Sequence, residues 1–193
     1  QIPNEYYKIG ERYKFLLKDI RDGQEMIVSR GAPEFLEELF KLEVPEMESG
    51  VVEIKATARE AGSRSKVGVV SYQDGVDPIG SCVGQRGMRI ANVMSELGEE
   101  KIDIIEWAEN IEDFIANALG PAQVEKVEIV DEGVARVTVS DDQLSLAIGK
   151  DGQNVRLAAK LTGHKIDITA PGLDESKRKA SIVTAEPEFE LSS

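Results

Sequence analysis

Two tetrapeptides in this 193-residue chain place basic side chains between glycines: Gly84-Gln85-Arg86-Gly87 and Gly149-Lys150-Asp151-Gly152. Each is followed by apolar residues at the spacing of an amphipathic helix. Glycine has no Cβ, so the chain can turn tightly there and approach a ligand closely. A helix that begins at the second glycine directs free N–H groups and the positive end of its dipole at the loop. The pattern therefore predicts a site for an anion such as a phosphodiester.

The same features recur at one spacing, which indicates a duplicated unit. Gly84 and Gly149 lie 65 residues apart, and the tetrapeptide Lys-Ile-Asp-Ile begins at Lys101 and again, 64 residues later, at Lys165. A Gly-x-x-Gly turn between two helices is how one RNA-binding module holds a nucleic-acid backbone. The alternative is that each first glycine merely ends a helix. Two copies in matching contexts favour the binding interpretation.

We expect the RNA contacts to come from the two loops and from the helix starts that follow them. The expected site residues are Gly84, Gln85, Arg86, Gly87 and Arg89 in the first unit and Gly149, Lys150, Asp151, Gly152, Gln153, Asn154 and Arg156 in the second. Three more basic residues are candidates to lie near the loops: Arg59, Arg64 and Lys66.

The elements that must position these loops follow the same order in both units. Hydrophobic periodicity and turn residues predict a helix, a hairpin, a helix–loop–helix and a strand, at 33–109 and again at 110–170. Residues 1–32 read as two strands, which need further partners to be stable. The acidic segment 171–193 is rich in Pro, Ser, Glu and Lys and has no periodicity, so we expect a disordered tail.

Composition restricts the class of protein. The chain is 41% apolar and 31% charged, which is typical of a soluble globular protein. Its net charge of −13 argues against broad electrostatic coating of nucleic acid and favours selective binding. No apolar run approaches the ~20 residues that a membrane span requires, and no signal peptide is visible. Because the first residue is Gln1, we expect a piece of a longer protein.

Catalytic and metal chemistry lack the residues they need. The loop at Gly149 does not have the spacing of a Walker loop. His164 is the only histidine, so a Ser–His pair or a histidine-based metal cluster is not available. Cys82 is the only cysteine, which suits a reducing cytoplasm, and we interpret it as a buried structural thiol. We therefore expect a protein that is not an enzyme and that uses no cofactor or metal.

Longer stretches around the loops resemble KH domains of the prokaryotic type. Residues 58–66 and 76–84 look like the first KH domain of the NusA family of bacterial transcription factors. Residues 114–119, 142–149 and 152–163 look like the second KH domain of that family. Residues 1–32 resemble the last strands of the S1-type OB barrel that precedes the KH pair.

The resemblance implies an α+β fold: two tandem KH domains, each α-β-β-α-α-β, behind a partial S1 barrel. It implies a cytoplasmic, monomeric protein that binds the single-stranded nascent transcript. The implied partners are RNA polymerase and other elongation or antitermination factors, during elongation, pausing, termination or antitermination. Two alternatives stay open: a tandem KH protein of ribosome assembly or RNA metabolism, and a protein-interaction scaffold whose loops no longer bind RNA, which the acidic charge permits.

Overall fold

The structure is a computed structural model that describes residues 1–98 and 100–170 and the strand at 183–185. The chain divides into two units, residues 1–104 and residues 105–193. Within the described residues, no helix combines the length and the apolar character that crossing a membrane requires.

The first unit holds a two-stranded hairpin and a three-stranded sheet in the order β3-β4-β5. Strands β1 and β2 are antiparallel, as are β3 and β4. The elements are β1 (Leu16–Arg21), β2 (Glu25–Ser29), α1 (Pro33–Glu43), α2 (Pro45–Glu48), β3 (Val52–Glu60), β4 (Arg64–Ser71), α3 (Pro78–Val83), α4 (Met88–Glu96) and β5 (Lys101–Glu106), the last of which runs to the boundary of the second unit.

The second unit repeats this order around a sheet β6-β7-β8-β9. Strands β6 and β7 are antiparallel, β7 and β8 are parallel, and β9 is antiparallel to β8. The elements are α5 (Ile111–Ala118), β6 (Lys126–Asp131), β7 (Val134–Thr138), α6 (Asp141–Ile148), α7 (Gln153–Thr162), β8 (Lys165–Thr169) and β9 (Val183–Ala185).

Local signals explain where several helices begin and end. The Asp77 carboxylate accepts a hydrogen bond from Ile79 N at 3.0 Å, which caps α3. Asn110 caps α5 in the same way. Gly163 ends α7 with φ of 67°, a conformation that glycine adopts without strain. Ser140 occupies the cap position of α6, and Asp141 is its first helical residue.

Each unit packs its helices on one face of its own sheet. The apolar stripe of α1 meets inward-facing valines of β4 and the apolar side of α4. These core residues include Phe35, Leu36, Leu39, Phe40, Val67, Val69, Val93 and Leu97. In the second unit the buried residues come from α5, α7 and the two central strands. They include Phe114, Ile115, Ala135, Val137, Val155, Leu157, Ile166 and Ile168.

The predicted fold class and the order of elements in both KH-like units are confirmed, with local differences. The short helix α2 was not predicted. Within the segment expected to be a disordered tail, the structure describes Val183–Ala185 as a short strand that pairs with β8. The rest of the expected tail, 171–182 and 186–193, lies outside the described residues.

A fully buried ion pair connects distant parts of the first unit. The Arg59 guanidinium donates two hydrogen bonds to the Glu100 carboxylate, at 2.9 and 3.0 Å. Both side chains are 0% exposed. Glu100 also accepts hydrogen bonds from Gly62 N and Ser65 Oγ, at 2.7 and 2.6 Å. Buried charges are tolerated when they are paired and fully hydrogen-bonded, and this cluster meets that condition.

Arg30 attaches the N-terminal segment to the rest of the first unit. Its guanidinium donates to the Glu5 carboxylate at 2.8 Å and to the Glu96 carboxylate at 2.9 Å. The rings of Tyr13 and Phe35 lie 5.7 and 5.2 Å from its central carbon. Partial burial acts to raise the pKa of Glu5, but the hydrogen bond and charge of Arg30 bring that pKa below its ordinary value.

A second charged cluster lies on the β3-β4-β5 sheet of the first unit. Arg64 donates two hydrogen bonds to Asp103, at 2.8 and 2.9 Å, and the buried Lys66 ammonium is 3.2 Å from the same carboxylate. Burial acts to raise the pKa of Asp103, but these two cations outweigh it and bring the pKa below its ordinary value. Burial lowers the pKa of Lys66. Arg64 and Lys66, like Arg59, therefore neutralise internal carboxylates, which corrects the idea that they add charge beside the loop.

Removal of one member of the Arg59–Glu100 pair should destabilise the first unit strongly. Arg59→Met leaves the Glu100 carboxylate buried without an opposite charge, so we expect the free energy of unfolding to fall by about 3 to 5 kcal/mol. Chemical denaturation followed by circular dichroism measures this change. Arg64→Met is the control: its pair is partly exposed and should contribute about 1 kcal/mol or less. Equal losses in the two variants would contradict this account.

Candidate nucleic-acid interface

The two glycine loops have the same backbone conformation. The first glycines, Gly84 and Gly149, have φ/ψ of 73°/176° and 77°/173°. Two positions later, Arg86 and Asp151 have 53°/26° and 53°/27°. The second glycines have φ of 74° and 73°. In each unit the loop is one 3-10 turn between two helices, so the duplication seen in the sequence is also a duplication of shape.

The two glycines of a loop are required for different reasons. A Cβ added to Gly84 would lie 2.6 Å from Cγ of Arg89, and a Cβ added to Gly149 would lie 2.7 Å from Cβ of Asn154. The first position therefore has no room for a side chain. At Gly87 an added Cβ would have no heavy atom within 4 Å. That position needs glycine for its positive φ, and it leaves the backbone open to a ligand.

Each loop presents unpaired backbone donors and one exposed cation. Among the described residues, the N–H groups of Gln85 and Arg86 have no hydrogen-bond acceptor, and the same holds for Lys150 and Asp151. Successive N–H groups in such a turn form a concavity that suits an anion. The exposed side chains of Arg86 and Lys150 have no ion-pair partner in the described part of the chain.

Two of the expected contact residues are engaged elsewhere. Asn154 is 5% exposed, and its amide donates to Leu119 O and Ala147 O at 2.9 and 3.0 Å. Arg89 donates to Ser81 O at 2.6 Å and to the Glu46 carboxylate at 2.9 Å. The Asn154 amide is therefore buried against backbone carbonyls, a placement that does not favour its expected contact with RNA. Arg89 is held beside the loop and does not extend from it.

The remaining expected residues lie at the second loop and the start of α7. Asp151 is exposed, and its carbonyl accepts a hydrogen bond from Arg156 Nη1 at 3.1 Å. Arg156 therefore lies against the loop, one turn into α7. Gln153 is half-buried at the first position of that helix. Lys150 and Asp151 offset each other in charge, whereas Arg86 gives the first loop a net positive tip.

An open groove of about 350 Å³ lies beside the first loop. Its lining is polar: Glu46, Asp77, Gly80, Ser81, Gly84, Gln85 and Arg89. Both carboxylates in this lining are already hydrogen-bonded, one to Arg89 and one to the start of α3. The groove therefore offers amide and hydroxyl groups next to the glycine turn, a surface suited to the edges of bases more than to a second phosphate.

The described residues offer no alternative chemistry in this region. Cys82 is fully buried, and burial together with the nearby Glu46 carboxylate raises the pKa of its thiol to about 12. It is therefore a protonated core residue, as the sequence predicted. Within the described ranges, no group of three or more His, Cys, Asp or Glu side chains is arranged to hold a metal ion.

Two helices joined by a Gly-x-x-Gly turn, together with an antiparallel hairpin and a later strand, define the class: each unit contains a KH domain. Comparison with known families agrees with this assignment. Residues 30–107 match the family of NusA-like first KH domains, and residues 111–176 match the family of NusA-like second KH domains. The chain belongs to the NusA family.

Curated relatives extend the match along most of the chain. The transcription termination/antitermination protein NusA of Thermus thermophilus is 51% identical over 193 aligned positions, and the alignment covers 96% of this chain and 50% of the relative. The protein of the same description from Bacillus subtilis is 51% identical over 172 residues, 87% of this chain and 46% of the relative. The chain thus spans about half the length of these relatives.

A solved structure shows the same fold at lower sequence identity. The crystal structure of APE1850 superposes with a TM-score of 0.53 and is 23% identical, over 70% of this chain and 96% of that one. At this identity the likeness supports the fold and carries no functional argument.

The two glycines of the first loop should respond differently to alanine. Gly84→Ala adds both an unfavourable backbone conformation and a clash with Arg89, so we expect a loss of about 3 kcal/mol or more from the free energy of unfolding. Gly87→Ala adds only the unfavourable φ, and should cost about 1 kcal/mol. Urea denaturation of both variants measures the difference. Equal losses would mean that Arg89 moves aside without cost.

Proposed function

We propose that this chain binds single-stranded RNA through its two glycine loops. The observation that carries the proposal is the repetition of one loop geometry, with unpaired N–H groups and an exposed cation each time. A turn that serves only to join helices does not need an open second glycine, unpaired amides and an exposed basic side chain in both copies. Together these features hold a phosphate, while the adjoining groove accepts bases.

The small number of unpaired cations determines how the affinity for RNA depends on salt. Most of the basic residues that were expected near the first loop are paired with carboxylates inside the unit, so few cations remain for phosphates. Loop amides and base contacts then supply much of the affinity, and these release few counterions. Binding of this kind is selective and depends only moderately on salt. A protein-interaction scaffold with inactive loops would show no salt-dependent RNA affinity at all.

We further propose that the RNA is a nascent transcript and that the chain acts in transcription termination or antitermination in the cytoplasm. The support is the description of the relatives as transcription termination/antitermination proteins. RNA polymerase is the corresponding partner. A role in ribosome assembly is the competing proposal, and co-purification of the full-length protein with polymerase or with ribosomal particles separates the two.

Reversal of charge in the second loop should weaken RNA binding. Lys150→Asp turns the loop into Gly-Asp-Asp-Gly, so two carboxylates face the phosphate and repel it. We expect the free energy of unfolding to change by no more than about 0.5 kcal/mol, because the side chain is exposed. Fluorescence anisotropy with a labelled single-stranded RNA gives the affinity.

The control for this variant is Lys126→Asp on β6, which changes the net charge equally at another exposed lysine of the same unit. A specific loop site predicts that Lys126→Asp binds RNA nearly as well as the parent chain. If both variants lose the same affinity, the net charge of the chain is responsible and the loop is not the site.

Two linked sites should favour longer RNA. Only the residues 107–110 connect β5 to α5, so RNA held by one domain stays close to the other. Each KH loop handles about four nucleotides, so an RNA of about eight or more unpaired nucleotides should bind much more tightly than one of four. Titration with oligonucleotides of increasing length tests this. Affinity that stops rising at four nucleotides would mean that one domain binds alone.

A further inference from the structure

In both units, one residue just beyond the loop has the same structural role. The residue type at this position differs between the two units. Five residues beyond the first glycine stand Arg89 in the first unit and Asn154 in the second. Each packs directly over that glycine, at the distance where a glycine Cβ would clash. An arginine and an asparagine thus fill the same place in the packing, and only one of them carries charge.

Both side chains also join the two helices that flank the loop. Arg89 Nη1 lies 2.6 Å from Ser81 O, and Asn154 Nδ2 lies 3.3 Å from Leu146 O. Each carbonyl is three residues before the first glycine, in the last turn of a helix, where intrahelical donors are lacking. The hydrogen bond therefore connects the helix after the loop to the end of the helix before it.

A third contact extends each side chain to the helical segment that precedes the hairpin of its KH domain. Arg89 pairs with Glu46 of α2 at 2.9 Å, and Asn154 Nδ2 donates to Leu119 O at the end of α5, also at 2.9 Å. In both units one side chain therefore fixes three backbone segments around the glycine turn. In the second unit this side chain is the neutral, buried amide of Asn154. The role shared by the two positions is therefore to hold the loop, and it does not depend on contact with a phosphate.

We propose that Arg89 is a positioning residue for RNA binding: it holds the first loop in its binding shape and does not contact a phosphate. The inference rests on the proposed function and changes the expected contact set, in which Arg89 was a direct ligand of RNA. Arg86, which is exposed and has no ion-pair partner among the described residues, is then the cation of the first loop that meets the phosphate.

The sharpest test is the sign of the effect at Glu46. If Arg89 gripped a phosphate, Glu46→Ala would release the guanidinium, remove a nearby negative charge and tighten RNA binding. If Arg89 positions the loop, the same substitution weakens binding by about two- to fivefold, the size expected for a partly exposed ion pair. Glu48→Ala is the matched control, since it removes an exposed carboxylate from the same short helix and should leave binding unchanged or slightly tighter.

Salt dependence gives an independent readout. The affinity of a fluorescein-labelled single-stranded RNA of about twelve nucleotides, enough for both loops, is measured by anisotropy between about 50 and 200 mM salt. Arg86→Met should lower the affinity and reduce the slope of log K against log salt by about 0.7, because one phosphate contact is lost. Arg89→Met should lower the affinity by about tenfold through loss of its hydrogen bonds and leave the slope unchanged.

Several results would overturn the proposal. Tighter binding by Glu46→Ala, or a slope reduced by about 0.7 in Arg89→Met, makes Arg89 a phosphate contact. Unchanged affinity in both variants means that the loop keeps its shape without this side chain. A parent chain that binds no RNA in the same titration removes the proposed function as well, and that outcome is distinguishable because it appears before any variant is compared.

Discussion

The architecture of each binding region depends on one close contact, between the first glycine of the loop and the side chain five residues later. The contact leaves no room for a Cβ at Gly84 or Gly149. It also fixes where the second helix starts, because the packed residue is the second residue of that helix in both units. The intervening amides then face outward, since both flanking helices are held by the same side chain. A turn with outward-facing amides, suited to an anion, is thus a consequence of helix packing.

Most of the cations considered near the first loop are paired with carboxylates inside the first unit. Strands β3 and β4 carry three cations, Arg59, Arg64 and Lys66, that pair with Glu100 and Asp103 inside the unit. Arg30 similarly joins Glu5 and Glu96. These pairs join segments far apart in sequence, and they remove cations from the surface. A chain with a net charge of −13 can therefore present a local basic tip without becoming a general polyanion binder.

Much of the fold was predictable because its signals are local and repeated. Helical periodicity, the glycines that end helices and the 65-residue repeat predicted both KH-like units and both loops. What could not be predicted depends on contacts over long sequence distances. Glu100 is an example: its carboxylate is buried because it pairs with Arg59, and their separation by 41 residues in sequence hides this pairing from any local pattern. Helix α2 has four residues, too few to show a period, and β9 becomes a strand only by pairing with β8.

The candidate site was predictable as a loop but not residue by residue. Arg86 and Arg89 have the same charge and both lie near a glycine, so composition cannot separate the exposed one from the paired one. A usable signal was present: the position five residues after the glycine is arginine in one unit and asparagine in the other. Because this position holds a charged residue in one unit and a neutral residue in the other, packing and not charge defines it. The exposed loop positions do not pack in this way, so their residue types can differ between the units.

That freedom makes the two domains unequal. Arg86 and Asp151 occupy the same left-handed conformation, which asparagine and aspartate adopt more readily than arginine. Asp151 relieves backbone strain at the second loop but cancels the charge of Lys150. Arg86 adopts the same left-handed conformation at a higher cost in backbone strain, and its charge gives the first loop a net positive tip. Strained residues persist where the surrounding structure fixes them, often at functional sites. In the proposed function the first loop is therefore the stronger phosphate anchor, and the second loop adds affinity mainly through backbone amides and bases.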